Sequence, residues 1–155
     1  MKRQDADLKD GKGIRIAVDI AIFNDKREVL LGKRLVQAGF GSWGFVGGHL
    51  KTGEKIMDGA KREIYEELGK SVQIELTNEI LAIRENSLEP RFIHHITIII
   101  KGEYAEGEIK NNEPEKCEEW KWFDLRRLPP NLFSGIRETL ENFKQKKEII
   151  ISDWQ

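Results

Sequence analysis

Between Gly48 and Lys70 the chain reads GHLKTGEKIMDGAKREIYEELGK, and this stretch restricts the fold more than any other. A glycine-bearing loop (Gly47, Gly48, Gly53) feeds a segment whose apolar residues, Met57, Ala60, Ile64 and Leu68, form one helical stripe. A helix from about Glu54 or Lys55 to Leu68 is predicted, capped by Gly69 and docked on a core through that stripe. Beside the stripe stand Glu63, Glu66 and Glu67 at i, i+3 and i+4, which at about 100° per residue share one face. Like charges at that spacing oppose helix formation. A rigid acidic stripe at the edge of a core supplies oxygen ligands at fixed spacing, which is what a hard divalent cation requires.

Three glutamates on a helix are, in most proteins, a solvated face. Here the neighbouring residues argue otherwise. Gly48, Glu54, Arg62, Glu63, Ile64, Glu66, Glu67 and Gly69 fill the pattern Gly-x5-Glu-x7-Arg-Glu-U-x-Glu-Glu-x-Gly-U, where U is a bulky aliphatic residue. The last position alone departs, with Lys70 in place of the aliphatic residue. This is the Nudix box, and the chain resembles the Nudix hydrolases. LLGKR (30–34), GSWGFVGGHL (41–50), NEPEKCEEWKW (112–122) and LPPNLFSGIRETL (128–140) extend the likeness over roughly residues 14–145. They resemble the nucleotide triphosphate diphosphatase branch, close to MutT-type enzymes and including the vertebrate thiopurine-nucleotide hydrolase.

The resemblance implies an α/β Nudix fold, an α/β/α sandwich around a mixed sheet. It implies Mg²⁺ as cofactor, with Mn²⁺ as a substitute, held by Glu63, Glu67, Glu66 and the backbone carbonyl of Gly47. Glu66 is implied either to bind metal or to orient water, Arg34 to contact phosphate, and Thr97 with Gly135 and Ile136 to line the base pocket. A nucleotide substrate, a role in nucleotide-pool cleaning and a homodimer are implied in the same way. Val46 stands where this branch often has proline, so a looser turn and a changed substrate preference are open. Lys70 bears on packing after the helix, away from the metal site.

The chemistry supports the assignment independently, because an acidic stripe alone repels a triphosphate and only an intervening cation reverses the sign. Arg62 can pair with Glu66 at i, i+4, and orientation of a box carboxylate is favoured over direct contact with substrate. His49, beside Gly48, is a candidate phosphate contact or plain loop surface. His94 and His95 fall on opposite faces of a strand, so one is expected buried and the other in a groove. Trp120 and Trp122 read as core. Glu113, Glu115 and Glu118 crowd one segment, and one of them could serve as a general base from outside the box. A zinc site is disfavoured, since Cys117 has no partner cysteine.

At 155 residues the chain is expected to be one domain, with a core over about 14–147 and a flexible start over 1–13. Its 26 basic and 27 acidic residues nearly cancel, which removes the electrostatic footprint of a general nucleic-acid binder. A single cysteine, no apolar run of membrane-spanning length and a polar start without a signal h-region point to a cytoplasmic protein without membrane contact.

Strands are predicted at Ile14–Phe23, Val29–Arg34, Trp43–Val46, Ser71–Ile83 with a bend near Thr77-Asn78, Phe92–Tyr104 after a break at Pro90, and Cys117–Phe123. A second helix is predicted over Phe133–Lys147, and the Ile149–Ile151 run has no assigned place. The reaction expected is hydrolysis of a nucleoside triphosphate to monophosphate and pyrophosphate. Hydrolysis of nucleoside-diphosphate sugars or of dinucleotides such as ADP-ribose is the alternative. A non-catalytic nucleotide sensor is a third reading, opposed by three mutually repelling carboxylates that a binding module has no need to keep.

Overall fold

The computed structural model describes residues 13–86, 93–147, 149 and 151–153. The expected flexible start over 1–13 lies outside them except for Gly13, which opens a strand, and the expected break at Pro90 lies outside them too. Strands β1 (Gly13–Phe23) and β2 (Glu28–Arg34) are joined by a turn that the Asn24 side chain organises, its Oδ1 accepting from the backbone N–H of Lys26 and Glu28. Next come β3 (Trp43–Gly44), β4 (Val46–His49), helix α1 (Ile56–Leu68) and the long strands β5 (Gln73–Asn86) and β6 (Ile93–Glu106). Strand β7 (Cys117–Asp124), helix α2 (Ile136–Lys144) and β8 (Ile151–Asp153) close the order.

The strands form one mixed sheet in the order β3-β2-β1-β6-β5-β8, with β4 also on β1 and β7 also on β2. β1 and β6 run parallel along their whole length, and β5 runs antiparallel to β6 with register shifts between Leu76 and Ala82, close to the predicted bend. Alternation along β1 divides the core. Val18, Ile20 and Ile22 pack against Ala60, Ile64 and Leu68 of α1, while Ala21 and Phe23 pack against Ile136 and Leu140 of α2. One helix thus covers each face, as the α/β/α reading expects. Burying each of the large aliphatic side chains stabilises the fold by about 1.5–3 kcal/mol.

β5 runs three residues past the expected Ile83, where Arg84–Asn86 pair with β6, and three other boundaries differ for physical reasons. The predicted strand Trp43–Val46 is two strands, because Trp43-Gly44 pair with β2 while Val46 onward pairs with β1. The second helix begins at Ile136, not Phe133, because the Phe133 N–H donates to the Trp43 carbonyl (2.8 Å) and Gly135 turns left-handed at φ 79°. It ends at Lys144, before Lys146 at φ 51°. Of the unplaced tail, Ile151–Asp153 runs parallel to β5, with Ile151 opposite Ile83.

Candidate active site

Helix α1 lies over β4, where Gly48 allows its approach and Gly47 allows that of Asp19 on β1. A Cβ on Gly48 would stand 2.6 Å from Glu63 Oε1, and one on Gly47 would overlap Asp19 Oδ1. Asp19 faces Gly47 across the β1–β4 ladder. The Gly47 N–H points at Glu67 Oε1 at a long 3.4 Å.

Arg62 is the hub of the box. Its Nε and Nη2 donate to the two carboxylate oxygens of Glu54 (2.7 and 3.0 Å), and Nη1 donates to Glu63 Oε1 (2.7 Å) and Glu66 Oε2 (3.1 Å). Nη2 also donates to the His49 carbonyl (3.0 Å), which ties the glycine strand to the helix. The Arg62 hydrogen bond holds the Glu54 carboxyl down to about 2. The i, i+4 pair with Glu66 is therefore one of several contacts, and the fork to Glu54 is what the box glutamate before the helix contributes.

The remaining acids are poorly compensated. Burial first, then the neighbouring Glu63 charge, raises the Glu67 carboxyl to about 9. Burial raises Asp19 to about 7, against the opposing pull of Arg34, and burial raises Glu63 against the pull of Arg62. Asp19 was invisible as a site residue in the motif, although an acid amid the apolar run IAVDIAIF was the available signal.

Arg34 lies across the Phe133 ring (4.2 Å to the centroid), with Nε donating to the Ala38 carbonyl (3.0 Å), and its charge bears on both Asp19 and Glu67. A loop between β6 and β7 caps the C-terminal end of α1, where carbonyls otherwise lack partners. The Lys110 N–H donates to Leu68 O (3.0 Å), the Asn112 N–H to Glu67 O (3.1 Å) and Asn112 Nδ2 to Tyr65 O (3.3 Å). This brings Glu113 where its charge acts on Glu63 and Glu67. Glu113 itself accepts from Lys116 (2.6 Å); of its two companions, Glu118 pairs with Lys33 (2.8 Å) and Glu115 is exposed.

His49 is exposed and its Nε2 lies 3.5 Å from His95 Nδ1. The expected burial of one of His94 and His95 is not found. Both are half-exposed, because the two core clusters reach β6 only from Ile98 and Ile99 onward, and His94 pairs with Glu85. Trp120 and Trp122 pack against the α1-side core as expected.

Thr97 and Gly135 are brought together by a residue that the motif did not reveal. Thr97 is buried and opposite Arg84 in the β5–β6 register. Arg84, only 4% exposed, donates from Nη1 to the Gly135 carbonyl (2.9 Å) and pairs through Nη2 with Glu138 (3.3 Å). Ile136 turns into the core.

The donor set fits a hard divalent cation: carboxylate oxygens at the edge of a core, with pKa values raised first by burial and then by neighbouring carboxylates. Among the described residues no three acidic, imidazole or thiol groups stand close enough to enclose an ion in this arrangement, since Arg62 holds Glu63 and Glu66.

A family model of the NUDIX domain matches residues 13–143. The chain is a Nudix hydrolase. It is 44% identical over 121 residues to an RNA pyrophosphohydrolase of Ruthia magnifica subsp. Calyptogena magnifica, a match covering 77% of this chain and 58% of that protein. It is 34% identical over 106 residues to the oxidized purine nucleoside triphosphate hydrolase of Mus musculus, covering 66% of this chain and 62% of the relative. Among solved structures, a MutT NUDIX hydrolase from Burkholderia pseudomallei is 30% identical with a TM-score of 0.73, covering 84% of this Nudix hydrolase and 98% of that chain. Among its described residues no helix is long and apolar enough to cross a membrane.

Proposed function

We propose that this Nudix hydrolase cleaves the phosphate chain of a nucleoside triphosphate, plain or oxidised, to nucleoside monophosphate and pyrophosphate. The observation that carries the reading is the undercompensated acidic cluster of Glu63, Glu67 and Asp19, with Arg34 facing it. Glu63, Glu66, Glu67 and the Gly47 carbonyl would hold Mg²⁺, for which Mn²⁺ would substitute. Bound there, the cation would polarise a phosphoryl group and ease deprotonation of a water. Arg62 keeps the box carboxylates aimed through its hydrogen bonds to Glu54, Glu63 and Glu66. Arg34 swings from its carbonyl contact to the phosphates, and the exposed His49 closes the end of β4. Glu113 accepts the proton of the attacking water, and the bridging phosphoanhydride oxygen departs with pyrophosphate. Thr97 and Gly135, joined by Arg84, form the wall toward the base.

A second reading is favoured by the relatives named RNA pyrophosphohydrolase, since a triphosphorylated RNA end offers the same anhydrides. Against it, the net charge of −1 lacks the basic footprint that contacts to an RNA backbone need. A panel of nucleoside triphosphates, triphosphorylated RNA oligonucleotides and ADP-ribose, assayed for pyrophosphate and phosphate, tests the proposal. Fastest turnover is expected on a free triphosphate. Preference for the RNA end or for ADP-ribose would transfer the assignment to that class.

A further inference from the structure

Beyond the C-terminal end of β1, four residues past Asp19, the sheet, the β1–β2 turn and the last turn of α2 enclose a cavity of about 1030 Å³. None of the box residues lines it. Its floor is apolar: the half-buried Leu81, Tyr104 and Phe143 and the exposed Ile149 line it, with the buried Phe23, stacked on Phe143 at 4.6 Å, and Leu125 behind them. That combination of size and apolar floor is typical of small-molecule sites.

The rim is cationic, and part of that charge is unspent. Lys101 is held by Glu103 (3.1 Å) and Glu79 (3.6 Å), and Lys144 by Glu141 (3.3 Å). Arg27, Lys146 and Lys147 also line the cavity and make no ion pair among the described residues, and they are opposed by Asp25 and by the charge left over where Glu79 and Glu103 share Lys101. The backbone points to the same two of these residues. Among the described residues, Arg27 (φ 62°) and Lys146 (φ 51°) are the non-glycine residues in the left-handed region. Glycine would take either position without strain, yet each carries a long cationic side chain at the mouth of the same cavity.

We propose that this cavity is a second ligand site, separate from the hydrolytic centre, for an organic anion with a flat apolar body. The body rests on Leu81, Phe143 and Ile149, and its phosphate, sulfonate or carboxylate meets Arg27 and Lys146 at the rim. A bulky apolar ligand without charge leaves the unpaired cations unused, and a bare inorganic anion leaves the floor unused. The proposal does not depend on which substrate the hydrolytic centre takes.

The test uses the full chain and two fluorescent probes that share their rings, the anionic 8-anilinonaphthalene-1-sulfonate and the neutral N-phenyl-1-naphthylamine. The sulfonate is expected to bind at one site, at least about tenfold more tightly than the neutral probe. The double variant Arg27→Gly, Lys146→Gly relieves the strained backbone, so its melting temperature should hold or rise. Its affinity for the sulfonate should fall about tenfold or more, with the neutral probe unaffected. A Lys147→Gln variant, which leaves the backbone alone, should weaken the sulfonate in the same direction. Unchanged sulfonate affinity in the double variant, or an equal loss of sulfonate affinity in Arg34→Ala, which would place the probe at the hydrolytic centre, would overturn the proposal. Absence of saturable binding would do the same.

Discussion

Replacing Glu67 with glutamine separates stability from chemistry at one atom pair. The buried Glu67 carboxyl is raised from 4.5 to about 9, so the folded protein without metal keeps its proton where the unfolded chain has lost it. The folded state therefore binds more protons, and stability falls as pH rises from the unfolded value toward the folded one. At about pH 7.5 the gap of roughly three units corresponds to a penalty of up to about 4 kcal/mol. A glutamine in its place would carry no such penalty and still offers an oxygen to the Gly47 N–H. In chelator, Glu67→Gln should match wild type near about pH 4.5 and become more stable than it as pH rises, by about 2–4 kcal/mol at pH 7.5. Melting curves across this pH range measure it. Added Mg²⁺ should stabilise wild type more than the variant, and more at high pH, because ligands bind metal deprotonated. Parallel stability curves for the two proteins across the whole range would refute the buried, undercompensated carboxylate.

Three further substitutions probe the frame of the site. Gly48→Ala puts a methyl group 2.6 Å from Glu63 Oε1 and should cost about 1–3 kcal/mol in thermal unfolding while lowering kcat at least about tenfold. Arg62→Lys keeps the charge but loses the fork that spans Glu54, Glu63 and Glu66, so kcat should fall well before KM changes; an equal loss in both would assign Arg62 to substrate. Gly135→Leu forces a branched residue to φ 79° and into the Arg84 guanidinium, so a stability loss of about 3 kcal/mol is expected in denaturant titration, ahead of any narrowing of a base pocket.

What was legible in the chain was local. The box spacing and the apolar stripe of α1 placed the helix to within two residues at its start, and alternation placed β1, β2 and β7 almost to their ends. What was not legible depends on partners distant in sequence. Phe133 continues the apolar period of α2, yet its N–H bonds to Trp43, ninety residues away, and the helix starts later. The split between β3 and β4 follows from two different partner strands, which no short window contains. Asp19 and Arg84 are buried charges inside strand sequences, and their roles emerge only where β4 and α2 close over them. The position of Glu113 close to the box carboxylates, unlike that of its two companions, likewise waits on the loop that caps α1.

The central claim is that the acidic cluster drives hydrolysis of a triphosphate between its phosphates. Phosphorus NMR of a nucleoside triphosphate incubated with Mg²⁺ and either wild type or Glu67→Gln tests it directly. Wild type should convert the substrate to monophosphate and pyrophosphate in equal amounts, and the folded variant should be slower by about a hundredfold or more, the loss of roughly 3 kcal/mol at the transition state. Inorganic phosphate as the sole phosphate product, or near-wild-type turnover by the variant, would contradict it.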